Sequence, residues 1–219
     1  ISGIIKNMPP LKPSLFFNIT RPISEHSIIY PGDTPFSRTI MSSCARGDSC
    51  SLCTISMSNH LGTHIDFPSH FISDGKTSSD FELSYFIGRA LVIEIPDKIS
   101  IISSEHIPEN LSDSDFVFFK TRNSDLTHYT EHYVALDSSA ALLLKNKKIK
   151  IAGIDYLNID LFNDQTFPVH QILLGAEILI IENLILKNIP AGIYQARIYP
   201  LQVQDIDGVP VTASLEKIG

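Results

Sequence analysis

Three of the chain's eight histidines fall in one short segment, His60-Leu-Gly-Thr-His64-Ile-Asp66-Phe-Pro-Ser-His70. His64 and Asp66 are two apart, so on extended backbone their side chains leave on the same side. Gly62 lets the backbone curl between His60 and His64. Two imidazoles and a carboxylate converging on one point make a ligand set for a catalytic divalent metal, with a position left open for water. A lone histidine in a loop is ordinarily only a polar residue; the density here turns the segment into a candidate metal site. His70 lies four beyond Asp66, with Pro68 stiffening the connection. Its side-chain type titrates where a proton carrier must. A third ligand or a supporting group is the other reading of the same residue.

A second centre is fainter. His170 follows Phe167-Pro168-Val169 at a predicted helix start, and Glu182 interrupts the apolar run Ile178-Leu179-Ile180-Ile181. A carboxylate in such a run must be paired, metal-bound or at a strand end, because burying it bare is costly. Cys50-Ser51-Leu52-Cys53 is one CxxC without the second pair a zinc ribbon needs. With Cys44 it makes three cysteines, which cannot all pair, so a reducing compartment is expected. The plain reading of these cysteines is small buried residues entering a strand.

Positioning these groups falls mainly to strands. Leu52–Ser58 alternates Cys53, Ile55 and Met57 against Thr54, Ser56 and Ser58, the period of a half-buried strand. Leu15–Thr20, Ala90–Ile95, Phe116–Thr121, Ile149–Asp155, Ile178–Leu186, Ile193–Val203 and Val209–Leu215 are further β candidates, rich in β-branched and aromatic residues. Tyr30-Pro31-Gly32-Asp33-Thr34-Pro35 is turn chemistry, and Asp207-Gly208 marks another turn. Helices are fewer. Asp137 caps Ser138–Lys147, Ser103 or Ser104 caps a short one, and a third follows Pro168. Many strands with two or three helices predict an α/β protein, a mixed sheet with helices packed against it.

The 219 residues are 43% hydrophobic and 19% charged, with mean hydropathy +0.11, which excludes a disordered chain. A net charge of −7 argues against a general nucleic-acid surface. No apolar run approaches the ~20 residues of a membrane span. Residues 1–14 read as an N-terminal extension without a secretory pattern, and the absence of an initial Met leaves a tag remnant open for residues 1–7. Residues 15–219 read as a single domain. The expectations are a cytoplasmic protein, a small-molecule substrate, and neither nucleic acid nor membrane as partner.

The segment His60–His70 resembles the HxGTHxDxPxH signature of the cyclase family, whose best-known members are bacterial kynurenine formamidases. Tyr30–Pro35, Phe119-Lys-Thr-Arg-Asn-Ser124, Ala152-Gly-Ile-Asp-Tyr156, Phe167-Pro-Val-His170 and Ile181-Glu-Asn-Leu184 resemble its other blocks, in order, from about residue 15 to 215. The resemblance implies a swivelling β/β/α fold and a site for two divalent metals, zinc first and manganese second. It assigns His60, His64 and Asp66 to one ion and Asp66, His170 and Glu182 to the other, with Asp66 bridging. It gives His70 the acid/base position and puts Tyr30 where kynurenine formamidases carry a substrate-stacking Trp, a residue this chain lacks. The activity implied is hydrolysis of an amide C–N bond, as in N-formylkynurenine. The alternatives are opening of a small cyclic amide or imide, as in isatin hydrolases, or metal binding without catalysis. It also implies a homo-oligomer, dimer or tetramer.

Overall fold

A computed structural model describes residues 15–111 and 113–218, so the expected extension at residues 1–14 lies outside the described residues. Its strands are β1 (Phe16–Asn18), β2 (Ser37–Ser42), β3 (Leu52–Ser56), β4 (His64–Asp66), β5 (Ile87–Glu94), β6 (Ile101–Ile102), β7 (Phe116–Lys120), β8 (Ala135–Leu136), β9 (Ile151–Ile154), β10 (Leu179–Glu182), β11 (Gly192–Pro200) and β12 (Gly208–Lys217). Two α-helices accompany them, α1 (Ser138–Asn146) and α2 (Pro168–Leu174). The main sheet runs β1-β12-β11-β5-β7-β9-β10-β4. Its middle, β5-β7-β9-β10, is parallel and its flanks are antiparallel. The three-residue strand β4 pairs with both β10 and β12, so the sheet curls until its ends meet on β4.

Alternation sorts side chains between two cores. Phe116 and Phe118 enter the interior of the curled sheet with Ile65, Ile181, Ala196 and Ile198. Val117, Phe119, Ala152, Ile154 and Ile180 face the other way, against Ala140, Ala141 and Leu144 of α1 and Val169, Leu173 and Leu174 of α2. At Gly153 the interior has no room for a side chain. A Cβ there would lie 2.6 Å from Ile181 Cγ2 and 2.7 Å from Phe118 Cδ1. Asp137 caps α1 as expected, its carboxylate accepting from the backbone N–H of Ser139 and Ala140.

Two expectations need correction. The alternating segment 52–58 does form a strand, β3, but among the described residues it pairs only with β2, and every residue of β3 is exposed. Cys44, Cys50 and Cys53 are free and exposed rather than buried. Period-2 alternation shows that a strand has two unlike faces, and says nothing about whether anything covers them. Among the described residues no helix is long and apolar enough to cross a membrane.

Candidate metal and catalytic site

The site sits on the helix-facing side of β4 and β10. The register sets Glu182 opposite His64 and Ile180 opposite Asp66. Ile65 and Ile181 point inward to the core, so His64, Asp66 and Glu182 must point outward together. Glu182 interrupts its apolar run because it is the last residue of the strand and faces the imidazole across the ladder. Its Oε1 accepts from the Ile159 N–H at 2.7 Å.

The remaining donors arrive from flanking segments. Gly62 takes φ +74, and its carbonyl accepts from His64 Nδ1 at 3.0 Å, which leaves His64 Nε2 for the site. A Cβ on Gly62 would lie 2.6 Å from Ile23 Cγ1, so the curl expected there requires glycine on both counts. His170 comes from the first turn of α2, entered through Phe167 at φ +48 and Pro168. The helix has no side-chain cap of its own. Fully buried Asp160 accepts instead from Val169 N–H (2.8 Å), His170 N–H (3.0 Å) and His170 Nδ1 (2.5 Å). One carboxylate therefore starts the helix and turns His170 Nε2 inward.

The atoms of His64 and His170 that face the carboxylates lie at ligand-to-ligand spacing, while His60 Nδ1 hydrogen-bonds Asp66 Oδ1 at 2.8 Å. His64 Nε2 is 3.5 Å from Asp66 Oδ1 and 3.5 Å from Glu182 Oε2. His170 Nε2 is 3.6 Å from Asp66 Oδ2 and 3.5 Å from Glu182 Oε1. Tetrahedral ligands at ~2.0–2.1 Å from a zinc-like ion would stand roughly 3.3–3.4 Å apart. Asp66 Oδ2 is buried with no hydrogen-bond partner, the orphaned acceptor that a cation would satisfy. Three donor triples lie here, His60-His64-Asp66, Asp66-His170-Glu182 and His60-His70-Asp207, and the first two share Asp66. These residues fit a divalent metal.

Electrostatics agree. Burial would lower His60, but hydrogen bonds and charge from Asp66 and Asp207 outweigh it and raise it to about 9. Burial opposes His170 in the same way, and its hydrogen bond to Asp160, with the nearby Asp66 and Glu182 carboxylates, raises it to about 10. Burial works against the Asp66 carboxylate too, yet the facing histidines hold it well below the usual range. The pocket holds more buried negative charge than positive and draws in protons when no ion is bound. His70 goes the other way: burial, reinforced by neighbouring His60 and His170 against the pull of Asp66, lowers it.

A cavity of about 200 Å³ opens over these groups, enough for one substituted ring. His60, His64, His70, His170 and Glu182 supply its polar lining and Tyr30, Phe71, Leu157 and Phe167 its apolar lining, with Asp33 and Asn158. Phe71 stacks on His170 at 4.4 Å between centroids. Tyr30 lines the cavity, and its ring also meets Tyr129 edge-on at 6.1 Å. His60, His64, Asp66, His70, His170, Glu182 and Tyr30 are thus brought together here, while Cys44, Cys50 and Cys53 are not. Sequence reasoning missed two carboxylates, Asp160 behind His170 and Asp207, which contacts both His60 and His70. The only signals were an acidic residue shortly before a helix-starting Pro-Val-His and the Asp-Gly turn before the last strand.

The Cyclase family model matches residues 17–161. A kynurenine formamidase from Geobacillus thermodenitrificans is 33% identical over 206 residues, which is 93% of this chain and 98% of that protein. One from Bacillus cereus is 31% identical over 209 residues, 95% of this chain and all of that one (100%). A solved structure described as a potential metal-dependent hydrolase with cyclase activity superposes with a TM-score of 0.83 at 28% identity, covering 94% of this chain and 99% of its own. Isatin hydrolase A from Labrenzia aggregata shares the fold, with a TM-score of 0.76 at 22% identity over 93% of each chain.

Proposed function

The chain belongs to the cyclase family, and from that premise we propose that it is a metal-dependent hydrolase cleaving the C–N bond of a small aryl formamide of the N-formylkynurenine type. The observation that carries the reading is the convergence of five buried or half-buried donor residues, one of them with an orphaned carboxylate oxygen, beside a ring-sized cavity. His60, His64 and Asp66 would hold one divalent ion, and Asp66, His170 and Glu182 a second. Zinc is the first choice and manganese the alternative for His/carboxylate donors. Divalent ions at such a site polarise the scissile carbonyl and make water a nucleophile near neutral pH.

The protein's own residues do the rest. Tyr30, Phe71 and Phe167 grip the aromatic ring and keep water off it, fixing the formyl group beside the polar lining. His70 faces the cavity and carries a proton to the departing nitrogen. Its lowered affinity for protons keeps it neutral until it takes one up during turnover.

The reading extends to self-association and a cytoplasmic setting. Ile40, Met41, Leu52 and Ile55 of the β2–β3 hairpin are 55–60% exposed, and an isolated two-stranded hairpin is marginal in water. Three free, exposed cysteines suit a reducing compartment.

A turnover screen of aryl formamides, cyclic imides and lactones tests the proposal, using protein stripped with chelator and reloaded with Zn²⁺ or Mn²⁺. The expected result is formamide hydrolysis that disappears on stripping and returns on reloading. Preference for the cyclic imide would replace the formamidase reading with ring opening. Chelator-resistant turnover, or metal binding with no turnover, would refute it.

A further inference from the structure

We propose that Asp207, in the turn before β12, is a positioning residue that fixes the tautomer and orientation of His70 and His60 at once. Its Oδ2 lies 3.0 Å from His70 Nδ1 and 3.1 Å from His60 Nε2. Its Oδ1 is held by Asn59 Nδ2 at 3.0 Å, and the same amide reaches the Gly208 carbonyl at 3.1 Å. A carboxylate only accepts, so the ring nitrogens facing it carry the protons. That leaves Nε2 of His70 with its lone pair toward the cavity, the form a base requires. At His60 the nitrogen facing the donor cluster is Nδ1, 2.8 Å from Asp66 Oδ1; without an ion it donates to that carboxylate, and with one it would give up that proton and ligate while Asp207 keeps the proton on Nε2. His60 is thereby set apart from His64 and His170, whose Nδ1 atoms are tied to the Gly62 carbonyl and Asp160 and whose Nε2 atoms face inward.

Gly208 completes the device. A Cβ there would stand 2.3 Å from Cε1 of His60, so the imidazole lies directly against the backbone of the residue after Asp207. The two rings then stack, centroids 4.1 Å apart and 28° between planes. The Asp-Gly pair holds one imidazole by its edge and its face and the other by its edge. The geometry links a metal donor and the proton carrier through a single oxygen, as carboxylates behind metal-bound and catalytic histidines do elsewhere. The role at His70 rests on the hydrolase reading above; the role at His60 does not.

Asp207→Asn tests it cleanly, because Asn59 donates to Oδ1 and would hold the new carbonyl there. The amide NH₂ would then face both rings, a donor where an acceptor stood. Histidine ¹⁵N NMR of the zinc-loaded wild type should show His70 protonated at Nδ1, and the variant should shift that proton to Nε2. Zinc affinity should fall roughly 10–100-fold. For the formamide, kcat should fall ~10²–10⁴-fold with KM changed by less than about threefold. With zinc kept saturating, so that the loss of affinity through His60 is masked, the same substitution in a His70→Ala background should lower kcat no further. Asp207→Glu, which keeps an acceptor, should retain the wild-type tautomer. His70 protonated at Nε2 in the wild type would overturn the proposal, and that measurement needs no variant. So would an Asp207→Asn protein with unchanged tautomer and zinc affinity, or full additivity with His70→Ala. If wild type hydrolyses nothing in the screen, the hydrolase reading fails, while the NMR and zinc titration still decide the role of Asp207.

Discussion

Stripping the site of metal should make the fold sensitive to alkali in a way the loaded protein is not. His60 is raised from 6.5 to about 9 and His170 to about 10. Both native values exceed the unfolded one, so the stability they contribute is fully present below pH 6.5. It is lost as pH rises through about 9 and 10. Each pKa unit corresponds to ~1.4 kcal/mol, so His60 alone is worth about 3 kcal/mol. His170 shares Asp66 with it, and the two are not additive; a total on the order of 3–5 kcal/mol is reasonable. At ~2–4 °C per kcal/mol for a chain of this size, Tm of the chelated protein should fall by about 10 °C between pH 7 and 10.5. His70, lowered below its usual value, contributes in the opposite sense, and its loss falls below pH 6.5, outside that window. With zinc bound the imidazoles are neutral ligands at every pH in the range, and their share of the slope vanishes. Circular-dichroism melts of chelated and zinc-loaded protein over this range check it. Lysines and tyrosines titrate in both samples, so the difference between the curves isolates the site. Parallel curves, or a chelated Tm that does not fall, would refute the charge balance assigned to these buried carboxylates.

Three further outcomes are expected. Asp66→Ala should empty both metal positions and abolish turnover, whereas His70→Ala should keep its metal and lose ~10²–10⁴ in kcat; metal analysis beside kinetics separates them, and full two-metal occupancy in Asp66→Ala would end its bridging assignment. Tyr30→Ala should raise KM for an aromatic amide a few-fold to tenfold with metal unchanged, while Tyr30→Trp is tolerated; an equal effect on a small aliphatic amide would reduce Tyr30 to a partner of Tyr129. Gly153→Ala should cost ~1–3 kcal/mol in a denaturant melt, because its Cβ would press on Ile181 and Phe118 in the closed interior.

The legibility of the site follows from sequence distance. His60, His64, Asp66 and His70 were readable because one strand and its flanking turns carry them all, so local spacing is spatial spacing. Glu182 was readable as a charge in an apolar run, but not as the partner of His64, because the β4–β10 register is a tertiary fact. Asp160 and Asp207 left almost no trace. Each is a single loop carboxylate, and its meaning lies in the imidazole it meets ten residues later (Asp160 to His170) or 137 residues earlier (Asp207 to His70). The sheet was readable as strands and helices, and its order was not, since alternation fixes faces and leaves neighbours open.

Closure of the sheet and assembly of the site are one event. β4 is only three residues long, and its pairing partners are the two strands that carry the site's other pieces. β10 brings Glu182 opposite His64, and β12 brings Gly208 opposite Asp66, with Asp207 just before it. Thr63, beside His64, donates its hydroxyl to the Asn183 carbonyl and accepts from the Arg21 N–H, tying the segment after β10 and the one after β1 to the same corner. If β4 detached, Ile65 would leave the interior core and the donors would scatter together. An ion held by Asp66, His170 and Glu182 would therefore cross-link β4 to β10 on the face opposite the interior core of the curled sheet. The sheet positions the ligands, and the ion in turn fastens the seam that closes the sheet.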